Sequence, residues 1–94
     1  MPTYLLLITA TQKALESRKE SPARIEAQKK DFEKAGVKVM ASYHGMGHYD
    51  GVQIVEAPNA VTVNKAAIAA ESKGYIHIES RRIFTDDEYR QMVA

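Results

Sequence analysis

The fold is indicated first by a short apolar run near the amino terminus, Thr3-Tyr4-Leu5-Leu6-Leu7-Ile8-Thr9. Its side chains are apolar at successive positions instead of alternating with polar ones, which is typical of a strand covered on both faces. We therefore predict that this strand lies centrally in a sheet. The polar stretch that follows, residues 10–20, predicts an exposed loop or a short helix.

After this stretch the sequence predicts a helix. Ser21 is suited to the N-cap, Pro22 to the first helical position, and Gly36 to the position just after the end of the helix. Ile25 and Phe32 share one narrow apolar stripe, while charged residues cover the other sides. We expect this helix to pack on the sheet through that stripe.

Two more strands are predicted as an antiparallel hairpin. Residues 37–43 alternate in character, and the apolar members of one face are Val37, Val39, Ala41 and Tyr43. Residues 44–48 contain two glycines and predict a loop of about five residues before a second apolar strand, Tyr49–Ala57. These two strands are expected to be neighbours in the sheet.

A second helix is predicted after the hairpin. Asn59 is suited to cap it, and Gly74 to end it after Lys73. The helix is rich in alanine, which indicates that its backbone lies close to the sheet.

The final strand is predicted over residues 75–82. Ile76 and Ile78 alternate onto one face of this strand. The side chains of the other face are Tyr75, His77, Glu79 and Arg81. After the strand, Thr85 and Glu88 form the capping-box pattern that begins a short terminal helix.

The element order is β-α-β-β-α-β, which is the ferredoxin-like arrangement of the α+β class with a four-stranded antiparallel sheet. Both helices cover one face of such a sheet, and the other face stays open unless something packs on it. The first strand is apolar on both sides, so the open face is expected to be apolar too. We therefore predict that residues 1–94 form a single domain that dimerises face to face through its sheet.

Composition limits the class of protein. The chain has 94 residues, of which 45% are hydrophobic and 27% charged, ordinary values for one globular domain. Its 13 Lys and Arg residues against 12 Asp and Glu give a net charge of +1, so we expect neither nucleic acid nor an acidic membrane as a partner. The longest apolar run, Tyr4–Ile8, is too short for a signal peptide or a membrane span, and we expect a soluble cytoplasmic protein.

Metal and thiol chemistry are not predicted. The absence of cysteine excludes disulfides, thiolate metal sites and cysteine nucleophiles. His44 and His48 lie four residues apart across a loop, where that spacing does not bring two side chains together as it does on a helix. We therefore expect no metal site and no cofactor.

His77 has a more specific environment in the predicted final strand. Alternation places it beside Glu79, on the face opposite Ile76 and Ile78. A histidine beside a carboxylate can act as a general base, and the same pair can form a hydrogen bond at a dimer interface. Of these two interpretations we favour the interface.

A four-residue motif, Gly47-His48-Tyr49-Asp50, stands where the hairpin loop re-enters a strand. One interpretation is structural: Gly47 adopts a positive φ, Tyr49 packs over the end of the sheet, and Asp50 accepts backbone N–H bonds. The other interpretation is functional, because a hydroxyl and a carboxylate at the mouth of an apolar cavity are typical of a small-ligand site. The two interpretations are compatible.

This motif and its flanking residues resemble the GYD domain family of small bacterial and archaeal proteins. The resemblance covers nearly the whole chain. Its further matches are Pro2-Thr3-Tyr4, Thr11-Gln12, Ser21-Pro22-Ala23-Arg24, Val55-Glu56-Ala57-Pro58 and Phe84-Thr85. The resemblance implies a ferredoxin-like subunit that pairs into a dimeric α/β barrel, and it implies no particular activity.

On these grounds we expect a small dimer that binds a small molecule between its sheet and its first helix, near Gly47–Asp50. The candidate ligand-binding residues are Tyr43, His44, Gly47, His48, Tyr49, Asp50 and His77. One alternative is a cofactor-independent oxygenase or isomerase of the dimeric α/β-barrel type, which works with a few polar groups in an apolar pocket. Another alternative is a module whose only role is to assemble with itself.

Overall fold

The computed structural model describes residues 1–94 as one four-stranded antiparallel sheet with flanking helices. The strands are β1 (Thr3–Ala10), β2 (Lys38–His44), β3 (Gly51–Glu56) and β4 (Ile76–Ile83). The helices are α1 (Gln12–Glu16), α2 (Ser21–Lys34), α3 (Ala60–Glu71) and α4 (Asp86–Val93), and a 3₁₀ turn (Arg18–Glu20) precedes α2. None of these helices has the length and apolarity that a membrane crossing requires.

The strand order is β2-β3-β1-β4, and every neighbouring pair is antiparallel. β1 pairs with both β3 and β4, so that Leu5 lies opposite Ile54 on one side and Arg81 on the other. This order confirms the predicted ferredoxin-like α+β fold and the central position of the first strand. α1 and the 3₁₀ turn occupy the connection for which a loop or a short helix is predicted.

The core lies between the sheet and the helices α2 and α3, at the end of the sheet where β1 begins. Phe32 from α2 and Val63 from α3 join Leu6 of β1 there, and all three are at most 1% exposed. The other buried members of the core are Tyr4, Val37, Val55, Ala57 and Ala66. We call the region around Leu6, Phe32 and Val63 the closed end of the fold, because large apolar side chains fill it.

Side-chain caps begin two of the helices as the sequence predicts. Asn59 Oδ1 accepts the backbone N–H of Thr62 at 2.9 Å, which starts α3. Thr85 Oγ1 accepts the N–H of Glu88 at 3.1 Å, and the Glu88 carboxylate accepts the N–H of Thr85 at 3.0 Å, which starts α4. The bond from the Thr85 N–H is the main cause that lowers the pKa of the Glu88 carboxyl.

The predicted N-cap at Ser21 is wrong. The 3₁₀ turn Arg18–Glu20 leads directly into α2, so Ser21 already has helical dihedral angles, φ −56° and ψ −42°. Its hydroxyl donates to the carbonyl oxygen of Arg18 at 2.5 Å instead of accepting an N–H. A side chain caps a helix where the chain enters it from an extended conformation, and here the chain enters already coiled.

β2 departs from regular alternation at a β-bulge. Val39 pairs with Val55, but the next pair along the strand is Ala41 with Ile54. Met40 is therefore one extra residue in the strand, and its side chain is half exposed. One extra residue reverses the faces of all the residues that follow it.

The bulge changes which β2 side chains face the helices. Val39 packs against the core, whereas beyond the bulge Ser42 takes the helix side, where its Oγ lies 3.4 Å from Gln53 Nε2. Tyr43 falls on the opposite face and is 67% exposed. The prediction that Val39, Ala41 and Tyr43 share one face is therefore wrong, because strict alternation assumes a strand without an extra residue.

α4 keeps its apolar stripe uncovered. The exposed apolar side chains of this helix are Tyr89, Met92 and Val93. The helix is held near its N-terminus by Arg82. The Nη2 atom of Arg82 lies 3.2 Å from Glu88 Oε2, and its Cζ atom lies 4.3 Å from the centroid of the Phe84 ring. An uncovered stripe on an amphipathic helix is a candidate contact surface.

Candidate functional site

A groove of about 960 Å³ lies between α2 and α3, above the half of the sheet where β1 ends. Ile8, Gly51 and Gln53 contribute to its floor, and its walls include Ile25 from α2 and Ala69 from α3. Of its 31 lining residues, 15 are hydrophobic. We call this region the open end of the fold, because the helices and the sheet leave it unfilled.

Side-chain size explains why the groove stays open. Toward its C-terminus α3 presents Ala66, Ala69 and Ala70 to the groove, whereas nearer its start it presents Val63 to the core. On the sheet β3 contributes Gly51, which has no side chain. Small residues on these elements supply too little apolar volume to fill the space between helices and sheet.

Two buried amides cross the floor of the groove. Gln28 Nε2 donates to Gln53 Oε1 at 3.0 Å, and Gln53 Nε2 donates back to Gln28 Oε1 at 2.8 Å. The two residues are 7% and 2% exposed, so the reciprocal pair satisfies polar groups that water reaches poorly. Neither glutamine is a sequence candidate, because they are 25 positions apart and no local pattern links them.

Asp50 fixes the hairpin loop to the end of β1. Its carboxylate oxygen Oδ2 accepts the N–H of Ala10 at 2.7 Å, and its own N–H donates to the carbonyl oxygen of Ile8 at 2.8 Å. Its carbonyl oxygen accepts the N–H of Gly45 at 3.0 Å, which closes the loop. Asp50 also lines the groove, so this one residue joins the loop, the central strand and the candidate site.

The rest of the motif lies outside the groove. Gly47 has φ +111°, and apart from its two chain neighbours no residue has an atom within 4 Å of the position that a Cβ would take. The backbone conformation, and not a lack of space, therefore favours glycine there. The rings of His48 and Tyr49 meet edge to face at 4.8 Å, and the Tyr49 hydroxyl donates to Glu79 Oε2 at 3.2 Å. The strand that is predicted to begin at Tyr49 begins at Gly51, because residues 47–50 are used by the loop.

His44 and His77 lie in different places. His44 borders the groove, and so does Tyr43 near the end of β2, although Tyr43 lies on the face of the sheet opposite the helices; both residues are exposed. His77 has 75% of its side chain accessible, and its Nδ1 lies 3.9 Å from Glu71 Oε2. His77 and Glu79 share a face of β4 as predicted, but the carboxylate that lies within 4.0 Å of His77 is that of Glu71. Side chains two residues apart on one strand are about 7 Å apart, which leaves the end of α3 as the nearer partner.

The structure thus divides the sequence candidates into two sets. The candidates that border the groove are Tyr43, His44 and Asp50. The candidates that lie elsewhere are Gly47, His48, Tyr49 and His77. No group of three or more His, Cys, Asp or Glu side chains is arranged to hold a metal ion.

Three residues from separate parts of the chain meet beside the mouth of the groove, and we call Lys13, Arg24 and Tyr75 the mouth cluster. Lys13 Nζ is 4.4 Å and Arg24 Cζ is 4.2 Å from the centroid of the Tyr75 ring, distances typical of cation–π contacts. Arg24 also donates to the carbonyl oxygen of Ser17 at 3.1 Å. The prediction that Tyr75 shares a face with His77 is wrong, because Tyr75 precedes the first residue of β4 and borders the groove.

One ion pair joins the two helices at the groove. Lys73 Nζ, just after α3, lies 2.9 Å from Asp31 Oδ2 on α2. The hydrogen bond from Lys73 and its positive charge hold the pKa of the Asp31 carboxyl below its usual value. Because more than half of each side chain is exposed, the pair is expected to add little to stability.

Comparison with known proteins yields a family and two similar proteins. The family model described as "GYD domain" matches residues 4–93 of the chain. A relative from Thermus thermophilus, the "Glutamine synthetase and cystathionine beta-lyase binding protein", is 38% identical over 77 residues, which are 81% of this chain and 81% of the relative. The solution structure of the C-terminal domain of the MgtC protein from Mycobacterium tuberculosis aligns with a TM-score of 0.49 and 8% identity, over 87% of this chain and 86% of that domain. Because the family model spans nearly the whole sequence, the chain belongs to the GYD domain family, as its motifs predict.

Proposed function

We propose that this protein is a homodimeric binding protein that holds a small, largely apolar molecule in the groove between α2 and α3. The groove is the observation that carries the proposal. Its volume of about 960 Å³ lies within the range of ligand pockets, roughly 300–1,000 Å³. Its lining combines apolar side chains with a limited number of polar groups, which is the usual composition of a small-molecule site.

The polar groups on the floor of the groove favour binding over catalysis. Gln28 and Gln53 bond to each other, and the Asp50 carboxylate bonds to a backbone N–H of β1. The two amides cannot act as bases near neutral pH, and the Asp50 carboxylate already serves to hold the loop on β1. Groups that already have partners give the ligand a preorganised surface, which reduces the entropic cost of binding.

A second copy on the open face of the sheet completes the proposal. That face presents Leu5 and Leu7 of β1 beside Val52 and Ile54 of β3. Each of these side chains is only half-buried in the single chain. Pairing of two such faces would bury this apolar surface, and it would leave the groove on the opposite side free for a ligand.

Binding of another protein is a second candidate function, and α4 favours it. The Thermus relative is named for binding glutamine synthetase and cystathionine beta-lyase, and we extend to this chain only the general property of binding a partner protein. The uncovered stripe of Tyr89, Met92 and Val93 has a suitable chemistry, because amphipathic helices commonly dock into hydrophobic grooves.

Native mass spectrometry of the purified protein tests the ligand. A wild-type sample is expected to carry an extra mass that unfolding releases. Ala69→Phe places a ring into the groove from the wall of α3 and is expected to abolish this mass. Ile68→Phe introduces the same ring at the neighbouring exposed position off the groove, so it is the matched control and is expected to keep it. A wild-type chain without extra mass, or an Ala69→Phe variant that keeps it, contradicts the proposal.

Sedimentation tests the dimer. The wild-type chain is expected near twice its mass of 10.5 kDa at micromolar concentration. Leu7→Lys puts a charge on the open face and is expected to give a monomer. Val61→Lys, at an exposed position of α3, is the control and is expected to remain a dimer. A wild-type monomer, or a dimer that Leu7→Lys leaves intact, contradicts this part of the proposal.

A further inference from the structure

Electric charge is distributed unevenly around the groove. The positive side chains of its lining are Arg18, Arg24, Lys29, Lys65 and Lys73. The negative side chains are Glu26, Asp31 and Asp50. Five positive against three negative groups leave an excess of two positive charges at the groove, whereas the whole chain has a net charge of +1.

Two of the three carboxylates of this lining are paired with a lysine, and the third is hydrogen-bonded to the backbone. Glu26 Oε1 lies 3.3 Å from Lys29 Nζ, and Asp31 Oδ2 lies 2.9 Å from Lys73 Nζ. Asp50 accepts a hydrogen bond from a backbone N–H of β1. The positive side chains that have no carboxylate within 4.0 Å are Arg18, Arg24 and Lys65. Against these three cations stands Asp50, the one lining carboxylate with no cation within 4.0 Å, so an excess of positive charge remains at the groove.

The mouth cluster adds a further cation. Lys13 and Arg24 are both held against Tyr75, and neither has a carboxylate partner. Two like charges held close together repel, and an anion bound beside both relieves that repulsion while it accepts hydrogen bonds from them. The first turn of α2 also borders the groove through Ser21 and Pro22, so the positive end of the helix dipole lies on the same side.

We infer that the ligand of this groove is an amphipathic anion, with an apolar body in the groove and one carboxylate, sulfonate or phosphate group at the mouth cluster. The inference rests on the proposed function, because it assigns a chemistry to the ligand of the same groove. Arg24 can bind the anionic group, because Ser17 accepts one hydrogen bond from each terminal nitrogen of its guanidinium and three of the five N–H donors remain. Because the mouth is open to solvent, the attraction weakens as the salt concentration rises.

Two probes with the same hydrocarbon chain separate this inference from the proposed function. Octanoate carries a carboxylate, and 1-octanol has a hydroxyl in its place. Isothermal titration calorimetry of the full-length protein at low salt is expected to show that octanoate binds about tenfold more tightly than octanol. Equal affinities overturn the anion and leave the groove as a binding site. Failure of both probes to bind counts against both proposals.

Charge-removing variants locate the anionic group. Arg24→Gln and Lys13→Gln are each expected to weaken octanoate binding about threefold to tenfold and to leave octanol binding unchanged. Lys30→Gln removes the same charge from α2 at an exposed position off the groove and is expected to change neither affinity. Because Arg24 also bonds to Ser17, Lys13→Gln provides the second variant if Arg24→Gln folds poorly. Unchanged octanoate affinity in the folded variants overturns the inference.

Discussion

The closed end and the open end of the fold lie under the same two helices, yet only one of them is filled. At the closed end α2 presents Phe32 and α3 presents Val63, and both are at most 1% exposed. At the open end the same helices present Ile25 and Ala69, and a groove of about 960 Å³ remains. The comparison shows that the sizes of side chains along one helix can decide where a small domain is filled and where it can hold a ligand.

The Gln28–Gln53 pair marks the boundary between the two ends. On one side of it lies the filled core around Leu6, Phe32 and Val63, and on the other side lies the unfilled groove between Ile25 and Ala69. The reciprocal hydrogen bonds allow two amides to stand beside the core without an unpaired donor. Stability is therefore expected to depend mainly on the closed end.

The largest effect is expected from Phe32→Ala at the closed end. Removal of this buried ring loses the free energy gained by transferring it from water to the core, and it leaves a cavity. The free energy of unfolding should therefore fall by about 3 to 5 kcal/mol. Ile25→Ala at the open end should lower it by about 1 kcal/mol, because Ile25 is half-buried and borders space that is already open. Urea unfolding at one fixed protein concentration measures both. Equal losses would show that the two ends are packed alike.

Asp50→Ala is expected to lower the free energy of unfolding by roughly 1 to 3 kcal/mol, because the N–H of Ala10 loses its acceptor. Asp50→Asn keeps a carbonyl oxygen for that N–H and should lose less. Tyr49→Phe removes only an exposed hydroxyl bond and should change the value by at most about 0.5 kcal/mol. An Asp50→Ala variant with a higher urea midpoint and an unchanged slope would instead mark a binding residue placed at the expense of stability.

A smaller effect is expected at the boundary between the two ends. Gln53→Leu leaves the Gln28 amide without its buried partner, which should lower the free energy of unfolding by about 1 to 2 kcal/mol. The double variant Gln28→Leu with Gln53→Leu removes both amides and should recover most of that loss. A double-mutant cycle of urea unfolding gives the coupling energy directly. Losses that simply add would show that the two amides do not depend on each other.

The smallest effect is expected in the way stability changes as the pH falls. Lys73 lowers the pKa of Asp31 in the folded protein below its usual 3.8. A carboxyl of this kind stabilises the fold at pH values above its unfolded pKa, and the contribution is lost as the pH falls through the lowered folded pKa. Asp31→Asn should therefore make the urea midpoint fall less steeply below about pH 4 than it does in the wild type. Asp86→Asn, on α4, is the control, and identical acid responses of wild type and Asp31→Asn would contradict the prediction.

The order of elements follows from the sequence because its signals are local. The apolar first strand, the Asn59 cap and the Thr85 capping box each depend on residues within a few positions of one another, and the structure confirms all three. The bulge at Met40 has no such local signal, because nothing in the alternation of β2 shows that one residue is extra. The sequence therefore predicts the strand but not the faces of its second half.

The candidate site is predicted less completely, because its contacts join distant parts of the chain. Asp50 follows from its motif, and it borders the groove. Lys13 lies on α1, Arg24 on α2 and Tyr75 just before β4, and only the packing of the helices on the sheet brings them together. His77 illustrates the opposite case, since alternation places it on a strand face but does not determine which carboxylate it meets.

The bulge in β2 also has a consequence for chain length. Met40 has no partner on β3, because Val39 pairs with Val55 and Ala41 pairs with the next residue, Ile54. Removal of Met40 would therefore leave β2 and β3 paired without a bulge. Removal of a residue from a regular strand such as β1 would instead exchange the two sides of everything that follows. Sequences related to this one can therefore differ by a single residue at this point of β2 while the groove side and the open side of the sheet keep their identities.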